Sequence, residues 1–379
     1  MGRTGMNMGV VKLQNRSLVL NYINGNAPVS RKDVADATGL TPAAVTQICN
    51  ALISEGLLTE LGTAEESSGA GRKKVLVDIN YNYAYLFSVN IEPEQTYIAL
   101  SNLKGDFLAT RTIDTLKDVA SEVFLAKVAD ICEDIRKNAK ERVRKRILAI
   151  SVGITGIVNR ETGTSVRAYG IWKDEVPVCD ILSKALGLDA FIENNVNAFA
   201  KAVMLYGVGR FYDNLHIIKW GPGVGSTIII DGRVYEGRHG KAAELGHFIV
   251  EKDGKECSCG RRGCLETKVN YKALNEIVKF DKDSFGEAYI NASDEQKKKI
   301  EEAIDLFART IVNSSTIMAP NRVVLCGYLF HDDVIRDILI KDCKMYDSAF
   351  DENRIIYTTL ADSEDFIGPV ATFVQSEIF

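Results

Sequence analysis

The sequence has no apolar run approaching the roughly 20 residues that span a bilayer. Its start, MGRTGMNMGVVKLQNR, lacks the apolar stretch and small-residue cleavage site of a secretory signal. No membrane association is expected, and a cytoplasmic location is. Nor is there an excess of positive charge: 46 Lys and Arg against 51 Asp and Glu leave a net charge of -5, which argues against a generally basic nucleic-acid binder. That average hides an asymmetry, because residues 1–50 carry Arg3, Lys12, Arg16, Arg31 and Lys32 against only Asp33 and Asp36, a balance of +3. A disulfide framework is not expected in a reducing compartment, although the chain has 8 cysteines. Cys49, Cys132, Cys179, Cys326 and Cys343 are scattered among apolar neighbours and read as core thiols. What is present, 379 residues with 46% hydrophobic and 26% charged, suits two or three compact globular units.

The first eighty residues carry three helical patterns in tight succession. The first covers Gln14 to Asn24 and ends at the turn Gly25-Asn26-Ala27-Pro28. Ser30 can cap a second helix, with Asp33 at the third helical position as in a capping box, and Gly39 stops it in the left-handed region. Thr41-Pro42 repeats the signal for a third helix that ends at Gly56. Two helices across a short turn, braced by an apolar first helix, predict a helix-turn-helix. Leu57–Glu60, a Gly/Ser-rich tip with Arg72, Lys73 and Lys74, and Val75–Ile79 predict a two-stranded wing. Thr41, Ala43, Ala44, Thr46 and Gln47 are small or polar, as a helix approaching base edges requires. These residues, with Ser30 at the head of the second helix and Arg72 suited to a narrow minor groove, are the expected DNA contacts. A protein-interaction module is the alternative for this segment.

From Tyr81 onward strand-like runs alternate with helices. Strands are expected at Ala84–Asn90, Gln95–Asn102, Arg146–Gly153, Ala190–Glu193, His216–Lys219 and Ser226–Ile230, and helices at Leu116–Ala139, Asn197–Tyr206 and Glu295–Met318. This alternation predicts a layered α/β body. Its sharpest local feature is Cys257-Ser-Cys259-Gly-Arg-Arg-Gly-Cys264, with His247 ten residues before the first cysteine. Three thiolates and one imidazole form a closed tetrahedral set, so His247, Cys257, Cys259 and Cys264 are expected to bind a structural Zn2+. The glycines allow the tight loop that brings three sulfurs together.

These pieces resemble the ROK family (repressor, open reading frame, kinase). Glu244-Leu-Gly-His247 followed by CSCGRRGCLE over 257–266 resembles its signature, and GITGIVNRETG (153–163), ENNVNAFA (193–200), GPGVGSTIII (221–230) and VVLCGYL (323–329) match in the family's order. The winged helix is similar to that of the repressor branch, of the xylose-repressor and N-acetylglucosamine-repressor type. The resemblance implies an actin-like sugar-kinase, ribonuclease H-like body of two α/β lobes. The winged helix-turn-helix would occupy 1–80, the first lobe 81–196 plus about 360–379, with a last helix over Glu364–Ser376, and the second lobe with its zinc loop 197–359. It also implies that sugar hydroxyls are held by Asn194, Glu244, His247 and Glu266 beside Asn195, with Gly156 allowing close backbone approach. The loop 167–178 is expected to select the sugar, with Trp172 near a sugar face.

Two departures from the kinases bear on function. The position after Asn194, an aspartate general base in the kinases, is Asn195, and an amide cannot take the proton. The first phosphate-binding hairpin is replaced by Asn90-Ile-Glu92-Pro93-Glu94-Gln-Thr96, where two carboxylates and a proline oppose a triphosphate. The turn Gly221-Pro-Gly-Val-Gly225 survives in outline and reads as shaping the cleft. The expected function is a sugar-responsive DNA-binding repressor, not an enzyme, acting on operator DNA as a homodimer or tetramer. The alternatives are an active ATP-dependent sugar kinase with an appended DNA-binding domain, and a zinc-stabilised scaffold that binds DNA without a small ligand.

Overall fold

A computed structural model describes residues 8–63, 74–238 and 242–379. Its N-terminal unit consists of helices α1 (Met8–Asn26), α2 (Arg31–Thr38) and α3 (Pro42–Glu55), with strands β1 (Val29–Ser30), β2 (Leu58–Thr63) and β3 (Val75–Ile79) in one antiparallel sheet ordered β1-β3-β2. The caps fall where the sequence puts them. The Asp33 N–H donates to the Ser30 hydroxyl, the Ser30 N–H donates back to the Asp33 carboxylate at 3.1 Å, and Gly39 closes α2 with φ 70°. Thr41 accepts from the Ala44 N–H at 3.2 Å. Helix α1 begins at Met8, earlier than the expected Gln14, because Val10 and Leu13 on its extension face solvent and leave no apolar periodicity to mark it.

The body is built on two sheets of like topology. The first contains β4 (Tyr85–Ile91), β5 (Gln95–Asn102), β6 (Phe107–Asp114) and β7 (Ile147–Ile154); a ribbon of β8 (Ile157–Asn159) and β9 (Thr164–Arg167) follows, and then β10 (Asp189–Asn194). Its order is β10-β7-β4-β5-β6, with β4, β7 and β10 parallel. Every residue of β4 is buried because helices cover both faces, and even its polar Ser88 and Asn90 lie inside. The edge strand β6 alternates polar and apolar residues and is half exposed, so its signal in the sequence is weak.

The second sheet holds β11 (Leu215–Trp220), β12 (Val224–Ile230), β13 (Arg233–Val234), β14 (Arg322–Cys326) and β15 (Ile355–Tyr357) in the order β13-β12-β11-β14-β15, the first sheet's arrangement repeated. Its core centres on Trp220, whose ring meets Phe307 and Phe330 edge-on with centroids 5.0 Å away and whose indole N–H donates to the Val269 carbonyl at 2.6 Å.

One helix, Asn195–Tyr206, joins the two halves. It packs against the C-terminal helix Glu364–Phe373, which returns to the first sheet, and against β12 of the second. The C-terminal helix ends three residues before the expected Ser376 because its last turn widens over Val374–Ile378. A single apolar core runs from Leu20, Ile23 and Leu52 of the N-terminal unit through Val203 and Leu205 to Ile217 and Val370 of the body. Among the described residues no helix is long and apolar enough to cross a membrane.

Candidate functional site

The end of β10, the β11–β12 turn and the loop before Cys257 converge on a cavity of about 330 Å³ between the two sheets. Gly156, Asn194, Asn195, Glu244, His247 and Glu266, six residues from four separate stretches of sequence, all line it. Asn194 is the N-cap of the helix that joins the halves: the Val196 and Asn197 N–H groups donate to its Oδ1 at 2.9 and 3.1 Å. Its Nδ2 donates to the Gly156 carbonyl at 2.8 Å, so one side chain fixes both walls. Gly156 has φ 104°, and a Cβ there would lie 2.1 Å from the Arg167 carbonyl oxygen; no other residue fits.

Behind Asn194, Glu193 is 2% exposed and holds the strand end in place. It accepts from Lys201 Nζ at 2.6 Å, from Arg160 Nη1 at 3.2 Å and from the Asn194 N–H at 2.9 Å. On the opposite wall, burial raises the Glu266 pKa to about 7, with the Val224 N–H pulling it down and Glu244 pushing it up.

His247 and the three clustered cysteines come together as the sequence requires. All four ligand atoms lie within 4.8 Å of one another. A tetrahedral ion bonded at about 2.3 Å to sulfur and about 2.0 Å to nitrogen sets edges of roughly 3.8 and 3.6 Å. Cys259 and Cys264 sulfurs are 3.7 Å apart, and Cys257 Sγ is 3.5 Å from His247 Nδ1, so the residues present fit a metal ion. The sulfurs are too distant for a disulfide, which needs about 2.05 Å. Although burial works against the Cys259 thiolate, hydrogen bonds from Arg261 and the neighbouring thiols lower its pKa below the ordinary value, as a ligand needs. Gly263 makes the loop possible: φ is 72°, and a Cβ would sit 1.8 Å from the Glu251 oxygen. With Nδ1 turned to the sulfurs, His247 Nε2 lies 3.7 Å from the Glu244 carboxylate on the same cavity wall.

Three readings of the sequence change on contact with the structure. Trp172 does not reach the cavity. It packs on Phe124 in the first-lobe core and donates to Ser165 at 3.3 Å, while Tyr169 from the same loop lines the cavity edge-on to His247. Glu92, expected to oppose a triphosphate by its charge, has that charge paired within the protein. It is 5% exposed and bonded to Lys219 Nζ at 2.5 Å, a buried partner from the other sheet, and it also accepts from Asn195 Nδ2 at 3.3 Å. Although burial disfavours the Lys219 ammonium, Glu92 and Glu364 hold its pKa above the ordinary value. Lys219 was overlooked because a lysine within an apolar strand carries no mark of its partner.

The third change concerns the DNA-facing set. Thr41, Ala43, Thr46 and Gln47 are exposed on α3 and Ala44 is half-buried beside them; the Thr46 hydroxyl donates to the Pro42 carbonyl at 2.7 Å. Ser30 is 3% exposed and its side chain is occupied by Asp33, so it builds the motif without presenting itself to a ligand. Arg72 lies outside the described residues. Lys74, at the wing's second strand, is tied to Asp33 at 3.0 Å.

Residues 87–374 match the ROK family model, and residues 13–59 match a winged helix-turn-helix DNA-binding model. The chain belongs to the ROK family. It is 30% identical to the xylose repressor of Caldicellulosiruptor bescii over 72% of this chain and 68% of that protein. It is 25% identical to the DNA-binding transcriptional dual regulator NagC of Escherichia coli over 96% and 93%. Among solved structures, a ROK family transcriptional regulator described as a homologue of the E. coli MLC protein superposes with a TM-score of 0.79 at 23% identity, covering 96% of this chain and 97% of that one. A ROK family glucokinase from Streptomyces griseus superposes with 0.64 at 20% identity over 76% and 99%. The body therefore has the family's actin-like sugar-kinase fold, preceded by a winged helix-turn-helix.

Asn194→Ala removes the cap of the joining helix and its tie to Gly156, and is expected to cost about 1 to 2 kcal/mol, read as a lower thermal midpoint. Asn194→Ser restores an acceptor and should recover most of that loss. Equal midpoints for wild type and the alanine variant would contradict the capping role.

Proposed function

We propose that the protein is a sugar-responsive DNA-binding transcriptional regulator, a repressor, whose kinase-like body binds a sugar without phosphorylating it. One observation carries this reading: the same helix begins in the cavity and ends on the N-terminal unit. Twelve residues at 1.5 Å each span about 18 Å. At the far end Asn24 of α1 donates to the Leu205 carbonyl at 2.7 Å, and Arg210 donates to the Gly25 carbonyl at 3.4 Å. The last carbonyls of a helix have no partner within it. Asn24 supplies one from the DNA-binding side, so closure of the cleft on a ligand has a rigid route to α1.

In this reading residues 1–80 form the DNA-binding unit, 81–196 with about 360–379 the first lobe and 197–359 the second. Asn194, Glu244, His247 and Glu266 take sugar hydroxyls, as amides and carboxylates do in pairs. Thr41, Ala43, Ala44, Thr46 and Gln47 meet base edges, with Arg72 from the wing. The partner is a DNA operator, read by a homodimer in the cytoplasm; a twofold protein suits a palindromic site.

Absence of catalysis is supported by the place of the missing base. Asn195 carries an amide already donating to Glu92, and Glu92 is held by Lys219, so neither of these two is poised to accept the sugar proton. The ion fitting the Cys3His set is zinc, in a structural role. Bound there it ties the loop together and fixes the ring of His247 towards Glu244.

Two measurements test this. Elemental analysis of the purified protein should find about one zinc per chain, and chelation should lower the melting temperature because binding at such a site contributes to folding; zinc near zero would contradict the assignment. On DNA selected from a random pool, a sugar that raises the melting temperature should change binding affinity by about 5- to 150-fold, without ATP consumption. Unchanged affinity with every stabilising sugar would overturn the regulatory reading, and sugar-dependent ATP turnover would overturn the non-enzymatic one.

A further inference from the structure

Helix α3 turns one uncharged face to solvent. Val45, Cys49 and Leu52 are fully buried, and on the opposite side Ala43, Gln47, Asn50 and Ser54 recur at i, i+4, i+7 and i+11, all exposed. Asn50 lies outside the set that the sequence marks for DNA contact, and its side chain is held by another element. Arg31 Nη2, from the first turn of α2, donates to Asn50 Oδ1 at 3.2 Å and to Glu60 of β2 at 2.7 Å. Arg31 sits where a helix dipole disfavours a cation, and these two contacts offset that cost. Its side chain is 21% exposed, wedged between α2, α3 and the wing strand.

A guanidinium has donors and no acceptor, so the oxygen of the Asn50 amide is the atom that faces it. The amide nitrogen is then directed away from Arg31, and among the described residues it has no hydrogen-bond partner. In the major groove an unrestrained asparagine reads adenine with both ends of its amide, accepting from N6 and donating to N7. With its oxygen committed, Asn50 presents two N–H donors only. Guanine offers O6 and N7 side by side, two acceptors and no donor, whereas thymine offers one acceptor beside its methyl.

We propose that Asn50 is a specificity-determining residue of the DNA-binding unit, held by Arg31 as a pure donor so that it selects guanine in place of adenine. The proposal rests on the DNA-binding reading above and names a base within it. Three helical residues separate Asn50 from Gln47, a rise of about 4.5 Å. That is close to the roughly 3.4 Å between successive bases of a strand, so the two side chains meet neighbouring base pairs.

The test is selection of a site from random DNA by the full-length protein, followed by affinities for that site and its single-base variants at fixed salt. Asn50→Ala should lose about 5- to 150-fold in affinity for the selected site. It should leave binding to random DNA nearly intact and should accept guanine and adenine alike at one position, where wild type takes guanine. The double variant Arg31→Met/Glu60→Gln removes the holding charge together with its partner, frees the Asn50 oxygen, and should shift that same position from guanine to adenine. A residue that served only the packing of α3 would not change a base preference. Equal losses of Asn50→Ala on selected and random DNA would overturn the proposal, as would a wild-type preference for adenine at the position that this variant relaxes. Guanine retained by the folded double variant would remove Arg31 as the determinant. Failure of wild type to enrich any sequence would instead count against the DNA-binding reading itself.

Discussion

The arrangement depends on the way Asn194 starts a helix. Its side chain accepts the first free amides of Asn195–Tyr206 and at the same time grips the Gly156 carbonyl, so the floor of the cavity and the first turn of the helix cannot move separately. Glu193 locks this junction from behind through Lys201 and Arg160. The helix is apolar on most sides because it has neighbours on most sides: the C-terminal helix, β12 and, at its last turn, α1. A rod buried in this way transmits displacement, because packed interiors do not deform continuously.

The opposite wall gains its rigidity differently. The loop that carries His247, Cys257, Cys259 and Cys264 has little secondary structure of its own, a single 3-10 turn over Leu245–His247 and isolated bridges such as Ile249 with Cys264 and Glu256 with Arg262. In the proposed reading, a metal ion on this tetrahedral set of ligands supplies the order that backbone pairing does not. It also gives His247 a fixed face toward Glu244 and leaves Glu266, two residues beyond the last cysteine, on the cavity wall. Between the two walls lie an internal ion pair, Glu92 with Lys219, and the Asn195 amide that donates to Glu92.

Much of this was legible in the sequence because it is written in local chemistry. Ser30-Asp33, Thr41-Pro42 and Gly39 state the helix-turn-helix through capping alone, and the cysteine spacing states the metal knot. The six cavity residues came from matching motifs, not from periodicity, since nothing local says that Gly156 and Glu266 face one another. What escaped has a common physical cause. Lys219 belongs to an apolar strand and Glu92 to a polar turn, and only the tertiary fold makes them a pair. Trp172 and Tyr169 share a loop, and the larger ring was the natural choice for a sugar face; the local core took it, leaving the tyrosine at the cavity. The edge strand β6 and the start of α1 were missed because exposed elements have weak hydrophobic patterns.

The central claim, that the joining helix couples the cleft to the DNA-binding unit, is most directly tested by amide hydrogen exchange in the presence and absence of a bound sugar. Protection reports local opening free energy segment by segment. Sugar should change protection in segments 195–207 and 18–30 together, the two ends of the contact between Asn24 and Leu205. A sugar that alters DNA affinity while leaving both segments unchanged would contradict the account.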